Sequence, residues 1–138
     1  MEYIGFIITV LILIIVFLQK EKFNLSTIKY TVIAYVASIP IYFLTLLFYK
    51  FVLEITPDKS LTIAVYSSFV SIVAIIIVMS LVGIMIQKLL DFQISVGNEN
   101  KGFIKGIFNK KGLIITLFQT LFFLGGIMGM YGIWIGIN

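Results

Sequence analysis

Cysteine, histidine and arginine are all missing from these 138 residues, and each absence removes a class of chemistry. Without Cys there is neither a disulfide framework nor a thiolate metal site. Without His the commonest metal ligand and the usual general base at neutral pH are gone. All ten bases are Lys, so the planar bidentate donor preferred for phosphate and nucleic acid is lacking, and no nucleic-acid partner is expected. Charge of either sign is scarce, at 12% of residues, with ten bases against six acids for a net +4. What fills the chain instead is apolar: 61% hydrophobic residues, 27 of them Ile, and a mean hydropathy of +1.16. That balance excludes an ordinary soluble domain. The expectation is an all-α, polytopic integral membrane protein, a small bundle of four transmembrane helices forming one membrane domain over residues 1–138. The isoleucine bias fits an AT-rich genome, and a bacterial-type plasma membrane is the expected location.

Four apolar runs mark the spans, at about 3–19, 30–49, 61–86 and 113–137. The first, with 17 residues, is at the lower limit for a hydrocarbon core of roughly 30 Å. It lacks the basic leader and small-residue cleavage site of a signal peptide, so retention as an anchor is expected. Phe23 to Lys29 forms a tight link with Asn24 or Ser26 as N-cap of the second helix. Thr56 and Pro57 match the N-cap and first position of the third. The third run is uncharged for 26 residues, longer than the core, and carries Ala64, Ser67, Ser68, Ser71 and Ala74 as a small face. Its helix is expected to continue to Ile94 before Gly97 and Asn98 break it. Residues 87–112 as a whole are a Lys-rich amphipathic link in which Phe103, Ile104, Ile107 and Phe108 recur at helical spacing among Lys101, Lys105, Lys110 and Lys111. Those lysines are either a topogenic anchor or contacts for anionic lipid.

Two stripes stand out within the spans. Thr31, Tyr35, Ser38, Tyr42, Thr45 and Tyr49 recur at spacings of four and three, which at about 100° per residue confines six hydroxyls to roughly 80° of one helix face. Pro40 lies in the same helix, lacks an amide donor and is a candidate kink. On the fourth span Gly125, Gly129, Gly132 and Gly136 repeat at four, three and four. Each costs about 0.8–1.0 kcal/mol against Ala unless another backbone or ring closes on it, so the stripe is a candidate helix-packing groove.

No span holds an acid, a His or a Cys, which removes the nucleophile–base pairs and metal motifs of intramembrane enzymes and the usual proton relay. No enzyme activity, cofactor or metal is expected. Small multidrug-resistance transporters have four spans in about this length, but they depend on a carboxylate in the first span, and Ile4 to Leu18 has none. The preferred reading is a helix-packing subunit, self-associating or joined to a larger membrane complex, with an immunity-type protein as a special case; its partners are the lipid bilayer and other membrane helices. The alternative is a small channel or transporter lined by the hydroxyl stripe, with Pro40 as gate. Links one and three carry eight Lys against three acids, and links rich in Lys stay cytoplasmic, so both termini are expected outside, with Tyr3, Tyr49, Tyr131 and Trp134 in an outer aromatic belt.

Overall fold

The computed structural model describes residues 1–56 and 58–136 and is all-helical, with no strand among the described residues. Five α-helices follow one another: α1 (Glu2–Leu18), α2 (Leu25–Phe51), α3 (Lys59–Ser95), α4 (Gly102–Asn109) and α5 (Lys111–Trp134), with one 3₁₀ turn, Lys20–Lys22, between α1 and α2. Three of them, α2, α3 and α5, are long and apolar enough to cross a membrane. The expectation of four such helices is met only in part. With 17 residues, α1 reaches about 26 Å at 1.5 Å per residue, short of a roughly 30 Å core.

Local sequence explains the helix ends. At α2 the Asn24 side chain accepts from the Thr27 amide at 3.1 Å, and Thr27 Oγ1 accepts from the Asn24 amide at 3.2 Å, a reciprocal cap in which Thr27 stands where Glu or Gln is usual. The start of α3 corrects the Thr56–Pro57 expectation. Asp58 is the N-cap, accepting from the Ser60 amide at 2.9 Å and the Ser60 hydroxyl at 2.7 Å; Pro57 lies outside the described residues. At the other end α3 closes with Gly97 at φ +82°, its amide on Ile94 O and the Asn98 amide on Gln93 O, both 3.0 Å. Those two bonds are the paired closure that a left-handed glycine permits. The helix therefore runs 37 residues, about 56 Å, and its last turns project past the apolar run on the Lys-rich side. Residues 87–112 are accordingly mostly helix, shared among the end of α3, all of α4 and the first two residues of α5.

Neighbouring helices pack antiparallel. Between α3 and α5, contacts run from Trp134 and Ser68 at one end, through Gly126 at Ile75 and Gln119 at Met79, to Lys111 and Gln87 at the other. Against the same inward side of α5, α1 packs with Phe17 stacked on Phe123 at 4.6 Å and Phe6 edge-on to Tyr131 at 5.9 Å. For its part, α2 packs chiefly against α3. The buried core is thin, comprising Leu13, Ala64, Val73, Met79, Leu90, Met130 and Trp134. No α2 residue is fully buried. Large Ile, Leu and Phe side chains cover the outside of every long helix, far beyond the apolar patches that a soluble monomer carries, and a lipid surround satisfies them.

Candidate functional site

The hydroxyl stripe of α2 turns toward protein. Thr31, Tyr35, Ser38 and Tyr42, together with Leu46, are the half-buried positions along the middle of this helix, while the residues between them are exposed. The Tyr42 ring lies 4.6 Å from Tyr66 of α3. Three hydroxyls close onto their own helix: Thr31 donates to Thr27 O at 2.6 Å, Ser38 to Tyr35 O at 2.6 Å and Thr45 to Ile41 O at 2.8 Å. This is the local back-bonding that hydroxyls use when no better acceptor is within reach. Toward its C-terminal end the stripe opens. A cleft of about 270 Å³ between α2 and α3 is lined by Tyr42, Thr45, Tyr49, Asp58 and Thr62. Throughout, α2 is continuous across Pro40.

The glycine stripe of α5 points elsewhere. A Cβ added at Gly125, Gly129 or Gly132 meets nothing within 4 Å, and at Gly136 it meets only the backbone of Gly132. The Tyr rings of α2 therefore do not lie against this groove. The glycine that does bring helices together is Gly126, one position away, where a Cβ would collide with Ile75 of α3 and touch Leu13 of α1. The inward face of α5 is Gln119, Phe123, Gly126, Met130 and Trp134, all buried or half-buried; at 100° per residue the glycine stripe lies roughly 130° around from it.

Polar groups sequestered along this inward face are all partnered. Gln119 Nε2 donates to Met79 O at 3.2 Å, Thr9 Oγ1 to Gly5 O at 3.0 Å and Ser80 Oγ to Ile76 O at 2.7 Å. Trp134 Nε1 donates to Ser68 Oγ at 2.8 Å, and Ser68 donates on to Ala64 O at 2.8 Å. Among the described residues no buried side-chain N or O lacks a partner. Trp134 is thereby corrected from belt residue to core residue. It is only 8% exposed, and its ring occupies the space where Gly5 of α1 has no side chain. Sequence reading missed this Gly5–Trp134–Ser68 junction, for which the small face of α3 was the available signal. A cleft of about 570 Å³ opens beside it, lined by Glu2, Asp58, Ser60, Ser67 and Trp134 among others. The hydrogen bonds from Ser60 and the Leu61 amide hold the Asp58 carboxyl below its ordinary value of 3.8.

At the Lys-rich end, Lys111 donates to Gln87 Oε1, and Gln87 Nε2 donates to Asp91 at 2.8 Å. This ties the first residue of α5 to α3, so Lys111 has a structural duty, whereas Lys101, Lys105 and Lys110 are exposed. Among the described residues no cluster of three or more potential metal ligands occurs. No family model, curated protein or solved structure matches the chain.

Proposed function

We propose that this chain is a non-enzymatic packing subunit of the membrane, with α1 as a short fourth span, that offers helix faces to copies of itself or to a larger membrane complex. The observation that carries the reading is the state of the α2 stripe. Its Thr31, Ser38 and Thr45 hydroxyls are bonded to their own helix and its least exposed positions lie toward α3, which favours helix packing as the use of polarity within the span. On α5 the inward positions are filled from within the chain while Gly125, Gly129 and Gly132 remain open, which leaves a close-approach surface for a helix from outside. The Lys-rich first and third links lie in the cytoplasm and both termini outside, by the bias of eight Lys against three acids. Tyr3, Tyr49 and Tyr131, all exposed, are then the outer aromatic belt without Trp134.

The test is assembly in detergent, read by light scattering or by crosslinking in membranes. Gly129→Leu and Gly132→Leu are expected to shift the protein to single chains, and Ile127→Leu to leave it assembled; unchanged assembly in both glycine variants contradicts the reading.

A second reading, a path for a monovalent ion or small neutral solute along α2, draws on the 270 Å³ cleft that exposes Tyr42, Thr45 and Tyr49 at the outer end. That reading requires water to continue past Ser38 to Thr31.

A further inference from the structure

We propose that the corner between α4 and the first turns of α5 is a seat for one acidic phospholipid, with an acyl chain in the groove over Gly102 and Gly106 and the phosphate on Lys110. A groove of about 320 Å³ runs there, lined by Gly102, Phe103, Gly106, Ile107, Lys110 and Ile114. Its position fits the ligand. Lys110 and Lys111 immediately precede Leu113, where the apolar run of α5 begins, so the groove crosses the boundary between charged and apolar depth at which a phospholipid changes from headgroup to chain.

Its walls match the two halves of that molecule. Neither glycine has a neighbour within 4 Å of a Cβ position, so the groove floor is open backbone that no side chain of the protein fills. Around α4, Ile104 and Ile107 are half-buried, while Phe103 at 78% and Phe108 at 48% exposure flank them. An exposed aromatic pair on an eight-residue helix beside a span is stable only against acyl chains or another apolar surface. The charges specify which surface. Among the described residues the Lys110 ammonium, which lines the groove, has no hydrogen-bond, ion-pair or ring partner, in contrast to that of Lys111, which Gln87 and the Phe108 ring engage. An unpartnered ammonium group at an apolar groove complements a phosphate with chains attached, and a zwitterionic lipid gains less from it.

The experiment uses the full chain exchanged into bilayer discs of equimolar phosphatidylglycerol and phosphatidylcholine, with retained lipid read by native mass spectrometry after release. Wild type is expected to retain phosphatidylglycerol in preference, one molecule per chain. Lys110→Gln should cut that preference about fivefold, the effect of one lysine at an anionic surface. Gly106→Leu adds a side chain whose Cβ meets no protein atom within 4 Å and should abolish retention of both lipids at unchanged thermal stability, with Gly102→Leu as its duplicate at the second open glycine. Excess glycerol phosphate, which has the headgroup and no chain, should displace nothing. Equal retention of the two lipids by wild type, full retention by both leucine variants, an unchanged preference in Lys110→Gln, or displacement by glycerol phosphate would each overturn the proposal.

Discussion

Trp134 shows how one residue can hold three helices at once. Its indole fills the gap left by Gly5 of α1 while its N–H reaches Ser68 of α3 at 2.8 Å. Trp134→Phe removes the donor but leaves Ser68 bonded to Ala64 O, so about 1 kcal/mol of stability should be lost. Trp134→Ala opens a cavity between the helices and should cost about 3–5 kcal/mol. Both are measured by reversible unfolding in mixed micelles, and equal losses in the two variants would show that the hydrogen bond, not the ring, holds the junction. Gln119→Leu should be milder, about 0.6 kcal/mol, because the average interhelical polar bond in a membrane is that weak and Met79 O keeps its place in its own helix. None of this was legible from residue type. A lone Trp near a span end reads as an interfacial ring, and its partner is 66 residues away; only the fold brings a glycine and a serine to it.

On α5 the inward Gly126 and the open glycine stripe lie on different faces, and they carry different predictions. Gly126→Leu drives a side chain into Ile75 and Leu13, and should destabilise the single chain by about 1–3 kcal/mol or more, as overpacking does. Gly129→Leu meets open space and should leave single-chain stability unchanged or slightly raised, since Leu is the better helix former. Thermal unfolding of the two variants, compared under dilute, dissociated conditions, separates an internal contact from an external one. The spacing of four and three made Gly125, Gly129, Gly132 and Gly136 conspicuous, but periodicity alone does not say which face of a helix is inward. Element ends were more legible, because caps are local chemistry. Asn24 and Gly97 were recognisable; Asp58 was not, since Thr56–Pro57 carries as good a start signal two residues earlier.

The Asp58 cap also gives α3 a pH dependence. Its carboxyl is held low in the folded state by the hydroxyl and amide of Ser60 and the amide of Leu61. A group with a depressed folded value contributes stability that is present above its unfolded value and is lost as pH falls through the folded one. The first turn of α3 should therefore fray as pH drops below 3.8 and stay intact at neutral pH. Amide exchange at Ser60, Leu61 and Thr62 reads this, and Asp58→Asn, which still accepts hydrogen bonds, should remove the acid dependence without unfolding the cap. Persistence of the dependence in Asp58→Asn would assign it to another carboxylate.

For the whole molecule, composition was enough to give the all-helical class, while run length gave four spans, of which three are helices fit to cross a membrane and α1 is short of the hydrocarbon thickness. The order in which helices pack was not available from the runs. It depends on contacts such as Phe17 on Phe123 and Tyr42 beside Tyr66, which join residues remote in the chain. That order leaves α2 beside α3 with its hydroxyl stripe as the half-buried side, and the packing reading stands or falls on whether this seam is dry. The chain has no Cys, so single cysteines at Thr31, Tyr35, Ser38, Tyr42, Thr45 and Tyr49 can be challenged with a membrane-impermeant maleimide from each side. In a dry seam a thiol resists ionisation and does not react. Tyr49→Cys and Thr45→Cys, which line the cleft between α2 and α3, should label from one side only, while Tyr35→Cys and Ser38→Cys should resist the reagent from both sides. Labelling that continues through Ser38 and Tyr35 to Thr31 would instead establish an aqueous path along α2 and contradict the packing account.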